Sequence, residues 1–237
     1  MHASLLTDLI IMGKIVRKTL FRIRVGLMVA VLPVMAFAML QNETLRDLAW
    51  TLGPFKSYRA SDYITTRLRK QSCEGCNLSG ANLKGLKARE KTFSGAQLAG
   101  ANLKASKMDA TDLTEVNLAG ADLDEASLNS ARLNSANLRG SSLARSQLKA
   151  AELSGANLRY ADLRYADLSG ADLSLADLSG ADLSGARLRD ADLSGANLEF
   201  SRLKGVDLTG ARLDGATFLK TDMPDGSLCS QRCSKHL

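Results

Sequence analysis

Between residues 98 and 213 every fifth residue is leucine, with Met108 as the single exception. Neither regular secondary structure can use that spacing. On an α-helix, at about 100° per residue, leucines five apart step round by about 140° and never share a face. On a strand an odd step sends successive leucines to opposite faces, and the interspersed glycines weaken it further. The spacing works if each five-residue unit is one side of a square. Leucines then converge on a common axis, and four units close a coil of 20 residues. The large slot (78, 83, 88 and onward) keeps its register to Met223 without insertion or deletion. Two residues earlier stands a small slot (81, 96, 101 and onward), mostly Ala, Ser, Thr or Val, which fills the tighter space beside each leucine. The remaining positions carry Asp, Asn, Ser and Gly, which suit outward faces and corners. Such a chain is a tube that serves as its own core, and its repetition decides the fold ahead of any local propensity.

The unit A-[DN]-L-x-x, as in Ala166-Asp167-Leu168 and Ala171-Asp172-Leu173, resembles the pentapeptide-repeat family over residues 78–223. The resemblance implies an all-β solenoid, a right-handed quadrilateral β-helix. Residues 76–223 are long enough for about seven 20-residue coils. The pattern slips near its start. Leu86 occupies a small slot, Ala88 the next large slot, and Lys91 a small inward slot where a charge is costly to bury. A distortion is therefore expected over residues 86–92, with the regular tube starting at Phe93.

The ends read differently. Residues 1–75 carry 11 basic and 5 acidic residues, whereas residues 76–223 carry 18 and 19, so the net charge of +6 comes from the N-terminal segment. Lys14, Arg17, Lys18, Arg22 and Arg24 precede the apolar run 25–40, which ends near Ala36-Phe37-Ala38. That order resembles a signal peptide, or an uncleaved signal anchor, over residues 1–40. The run is slightly short for a membrane span, and Met12 is an alternative start. Residues 41–75 are expected to form a helical linker and N-terminal cap, with Asn42 and Ser61 as helix caps and a stop at Gly53-Pro54. Residues 224–237 abandon the five-residue register and are expected to cap the other end, starting with a turn at Pro224 and Asp225-Gly226.

Chemistry is sparse. The two histidines, His2 and His236, stand at the termini, which removes a Ser-His-Asp or Cys-His nucleophile. The glycines follow the repeat rather than a phosphate-binding spacing. Asp162, Asp167, Asp172, Asp177 and Asp182 fall in successive units and are expected on different sides, against a paired-carboxylate site. No enzyme activity, cofactor or metal is expected. Cys73 and Cys76 lie just before the repeat, Cys229 and Cys233 just after it. About seven coils at a strand spacing of about 4.8 Å separate the pairs by roughly 35 Å, so one chain cannot gather a four-thiol zinc site. Two local disulfides in an oxidising compartment are expected instead.

The leading functional reading is an exported, non-enzymatic scaffold that presents a rigid rod to a protein or cell-envelope partner. Membrane contact would run through residues 25–40 if they are not cleaved, and a homodimer is compatible with the rod. The alternative follows from the family resemblance. Some members mimic DNA and bind type II topoisomerases, protecting them from quinolones, but the near-neutral rod and the export-like segment count against that role. Nucleic-acid binding is not expected. Arg132, Arg139, Arg145 and Lys149 form a basic band with no acid from 126 to 151, but no aromatic platform accompanies it in sequence. The candidate partner surface is instead Tyr160, Tyr165, Leu175 and Phe200, bulky residues in a slot that is otherwise small. Tyr160 and Phe200, two coils apart with Gly180 between them, are expected to bracket a shallow groove.

Overall fold

The computed structural model describes Leu68 and residues 72–229. By its contacts the chain divides into Met1–Lys56 and Ser57–Leu237, and every described residue belongs to the second unit. The expected export segment therefore lies outside the described residues, as does nearly all of the expected helical cap. Leu68 is helical and buried in the same apolar cluster as the first leucines of the repeat.

From Asn77 to Asp222 each residue just before a large slot pairs in parallel with the residue 20 positions on. Four columns result. The first wall runs Asn77, Gln97, Asn117, Asn137, Asn157, Asp177, Asn197, Thr217, and the second starts at Asn82, the third at Lys87 and the fourth at Thr92. Each side contributes one bridging residue rather than an extended strand, because a corner follows within two residues. Backbone donors alternate in direction. Leu98 N–H donates to Asn117 O of the next coil at 2.7 Å, and Asn117 N–H donates back to Ala96 O at 2.9 Å. The corner closes when Ala101 N–H donates to Leu98 O at 3.0 Å. Its third residue takes a positive φ whether it is Gly100 (64°) or a bulky residue such as Tyr160 (58°).

Inside, leucine and alanine are sealed from water from Leu83 to Leu203, which gives one continuous core along the axis. Each leucine so buried contributes about 1.5–3 kcal/mol relative to exposure. The small slot also takes hydroxyls where they find a carbonyl. Ser141, Ser146 and Ser201 donate to the leucine carbonyl three residues back at 2.7, 2.7 and 2.6 Å.

The expected distortion over 86–92 is absent. Leu86 and Ala88 are both fully buried, and the bridges Lys87–Lys107 and Thr92–Asp112 keep the same step. The exchange of a large for a small residue within one side conserves volume, which cores tolerate well. Thr111 of the next coil adds a hydroxyl bond to Ala88 O at 2.9 Å. Lys91 stays half-buried, which spares its charge the cost of full burial. The regular coil thus includes residues before Phe93.

At the far end two short strands, β1 (Thr221–Asp222) and β2 (Leu228–Cys229), form an antiparallel hairpin. Lys220 N–H donates to Cys229 O and Met223 N–H to Ser227 O, both at 2.7 Å. The hairpin supplies partners that a further coil would otherwise provide, so part of the last edge is not left open. Pro224 and Asp225-Gly226 make its turn, and Asp225 accepts bonds from the backbone N–H and hydroxyl of Ser227 at 2.8 and 2.7 Å.

Candidate interaction surface

The outer slots do local work first. An Asp before leucine accepts both the backbone N–H and the hydroxyl of a Ser or Thr two residues on. Asp167 holds Ser169 at 3.2 and 2.6 Å, Asp182 holds Ser184 at 3.0 and 2.6 Å, and Asp112 holds Thr114 at 3.1 and 2.7 Å. These bonds fix each corner, which accounts for the recurring D-L-S. They also set the carboxylates' proton affinity. Burial pushes Asp167 and Asp112 up, but the hydroxyl, the backbone N–H and a neighbouring cation outweigh it and leave both below the usual carboxylate value. At Asp162 the hydrogen bonds from the Arg164 guanidinium are the largest influence, and this carboxyl is lowered as well.

Coil stacking then decides which charges meet. Arg132, Arg187, Arg202 and Arg212 each reach the Asp one coil earlier, at 2.8 Å to Asp112, 3.6 Å to Asp167, 3.5 Å to Asp182 and 3.1 Å to Asp192. On the first wall side-chain amide bonds join Asn117 to Gln97 (3.0 Å) and Asn137 to Asn117 (3.1 Å). Asn157 instead accepts the backbone N–H of Arg159 at 3.2 Å. The expectation that the five aspartates lie on different sides needs correction. Asp162 and Asp182 are bridge partners on the second wall, because the fifth unit returns to the first side. Arg164 grips Asp162 at 2.8 and 2.6 Å, and Asp182 is held by Ser184 and Arg202, so neither is a spare acid or base.

Tyr160, Tyr165, Leu175 and Phe200 are all exposed, at 58, 64, 71 and 54%. The groove expected between Tyr160 and Phe200 is not open. A Cβ on Gly180 would meet the Tyr160 ring at 2.6 Å, so the tyrosine lies in the space the glycine leaves. Tyr165 lies in the same way on Gly185 (2.7 Å), and Leu175 on Gly195 (2.8 Å). Phe200 has Lys220, one coil on, at 5.7 Å from its ring centre. The basic band also differs from its linear appearance. Arg132 and Lys149 are ion-paired with acids of adjacent coils, Asp112 at 2.8 Å and Asp167 at 3.4 Å. Arg139 and Arg159 both face the Tyr160 ring, at 5.9 and 5.7 Å. The aromatic neighbour missing in sequence thus comes from the next coil, 21 residues away.

Cys73 and Cys76 have their Sγ atoms at bonding distance, with Cα atoms 5.5 Å apart. Cys229 is buried and disulfide-bonded, while Cys233 lies outside the described residues. Among the described residues no group of three or more His, Cys, Asp or Glu could hold a metal ion.

Family comparison agrees with this architecture. Pentapeptide repeats match at residues 76–114, 106–145, 151–190 and 191–226. The chain belongs to the pentapeptide-repeat family. Among solved structures it is similar to trypsin-treated QnrB1, a plasmid-mediated fluoroquinolone resistance protein. Identity is 22% and the TM-score 0.58, over 68% of this chain and 87% of the other. It also matches HetL, involved in heterocyst differentiation regulation in the cyanobacterium Nostoc, at 36% identity and a TM-score of 0.25, over 65% and 86%. A pentapeptide repeat protein of the Arabidopsis thaliana thylakoid lumen matches at 26% and 0.22, over 53% and 74%. No curated protein matches the sequence. With family members as the reference, the four-column coil of this pentapeptide-repeat protein is a right-handed quadrilateral β-helix, a scaffold for which no catalytic family is indicated.

Proposed function

We propose that this pentapeptide-repeat protein is an exported, non-enzymatic scaffold whose rod is presented to a protein or cell-envelope partner. One observation carries the reading. Many of the carboxylates, amides and hydroxyls that line the rod are engaged in turns, amide bonds and ion pairs, while large apolar and aromatic side chains are left outside. A surface built in that way suits binding rather than turnover. In this reading residues 76–223 form about seven coils, helices within 41–75 cap the first, and residues 1–40 direct export by a cleaved signal or an anchor. The two cysteine pairs then sit in an oxidising compartment, and self-association as a homodimer remains compatible with the rod.

The test is a fusion of residues 1–45 to a reporter active only outside the cytoplasm, with sequencing of the mature N-terminus. Activity is expected, and a start at Met39 marks cleavage. A silent reporter together with free thiols in protein from its own host rejects export.

A second reading, a cytosolic DNA mimic that binds a type II topoisomerase, draws on the fold likeness to QnrB1 and on the acid column Glu152, Asp172, Asp192 of the fourth wall. Arginines interleave the acids elsewhere, and residues 76–223 balance 18 basic against 19 acidic residues, which is a poor imitation of a phosphate backbone. Relief of quinolone inhibition in a supercoiling assay would favour this second reading over the first.

A further inference from the structure

We propose that Arg139, Arg145, Arg159, Arg164, Tyr160 and Tyr165 form a docking edge for a carboxylate-rich patch on a protein partner. The proposal rests on the scaffold reading and adds the face and the chemistry of the partner. It starts from a local cost. In the bridge columns Arg132, Arg187, Arg202 and Arg212 each meet an Asp one coil earlier. The neighbouring column of the first wall instead stacks Arg139 over Arg159, one coil apart, on a wall whose bridge column is mostly neutral amides. Like charges placed in that way repel. Arg159 has Asp177 at 3.5 Å, but no described carboxylate pairs with Arg139. Its aromatic neighbour Tyr160 neutralises nothing. Across the second wall Arg145 also has no described carboxylate partner, and its backbone N–H ties that corner to Arg164 O of the next coil at 2.9 Å. Departures from an otherwise consistent pattern are expected where function demands them.

The tyrosines make this edge ready to bind. Both are more than half exposed, yet each ring is bedded on a glycine of the next coil, at 2.6 Å from the Gly180 and 2.7 Å from the Gly185 Cβ position. Rings already held in place lose little freedom on binding. Tyrosine and arginine are also the residues that dominate protein interfaces, with charge complementarity selecting the partner. The height of the charged edge favours a compact acidic patch over a nucleic acid. On the same two walls, one coil earlier come Asp122, Asp124 and Glu125, and one coil later Asp177 and Asp182. A long polyanion tracking along the rod would run into both.

The experiment uses the full chain and a fluorescent glutamate-rich peptide, with a lysine-rich peptide and an oligo-dT strand as comparisons, read by anisotropy. The acidic peptide is expected to bind in preference to both. Its affinity should fall about tenfold in R139Q/R145Q and several-fold in Y160S/Y165S, with circular dichroism unchanged and melting of the arginine variant not lowered. The variant R187Q/R202Q, which removes the same charge from ion-paired sites, should bind as the wild type does. No binding, tighter binding to oligo-dT, or equal losses in both arginine pairs overturns the proposal. Cross-linking in the host separates the two levels. A partner held by the wild type and lost from R139Q/R145Q supports this edge. A partner retained by the variant rejects the edge and leaves the scaffold reading standing, and a wild type that captures no protein rejects both.

Discussion

At the scale of single residues, the corner slot sets the rules. Every corner needs a positive φ at its third residue, which costs a side-chain-bearing residue about 1–2 kcal/mol relative to the right-handed region. Tyr160, Tyr165 and Leu175 are accepted there with a glycine one coil on, whereas Phe200 lies beside Lys220. Gly180→Ala would place a methyl 2.6 Å from the Tyr160 ring. It should destabilise by about 1–3 kcal/mol in the wild type and by markedly less in a Tyr160→Ser background. Chemical denaturation of the four proteins measures the coupling, and additivity would mean the ring does not rest on the glycine. A second site has the opposite sign. Ser106 Oγ is buried without a hydrogen-bond partner, unlike Ser141, Ser146 and Ser201 in equivalent slots. Ser106→Ala should therefore stabilise the protein by about 1 kcal/mol, whereas Ser141→Ala should not. Melting temperatures of the two variants decide it.

At the scale of a side and its neighbours, one coil reads the next. Arg132 sits between Asp112 and Glu152 in the fourth wall. Arg132→Glu would stack five acids in succession, from Asp112 to Asp192, and should cost about 0.5–1 kcal/mol at low ionic strength. In 1 M salt, where the screening length is about 3 Å, most of that loss should disappear. A loss independent of salt would point to packing rather than charge. The column was legible in the sequence because the period of 20 follows from the leucine spacing. The groove between Tyr160 and Phe200 was misread for a related reason. The spacing places a residue on a wall, but it does not say in which direction a long side chain lies down. Arg139 and Tyr160, 21 residues apart, meet with the guanidinium 5.9 Å from the centre of a ring that is bedded on Gly180.

At the scale of the whole molecule, the carboxylates link stability to pH. Burial raises Asp109, but bonds from Ser127, Arg89 and the Asn129 backbone outweigh it, and the carboxyl sits below its usual value. Asp112, Asp162, Asp167 and Asp192 are lowered as well. A group whose folded value is depressed contributes stability above its unfolded value, near pH 4, and loses it as pH falls through the folded value. The protein should therefore keep a level melting temperature near neutrality and lose stability below about pH 4. A melting temperature unchanged down to about pH 2 would mean that the turn and ion-pair bonds add nothing to folding.

Sequence alone determined the coil. A five-residue period of large and small apolar residues has one way to bury both, and that fixes the 20-residue step and the four columns. It also located the exposed candidates Tyr160, Tyr165, Leu175 and Phe200, because bulk in a slot of small residues is visible without coordinates. Only the tertiary structure decided how the transposed pair Leu86 and Ala88 packs, that Tyr160 fills the place beside Gly180, and that the basic band loses Arg132 and Lys149 to acids of other coils. The physical reason is shared. Repeat spacing specifies where backbones stack, whereas side-chain direction and charge pairing depend on what the adjacent coil leaves free.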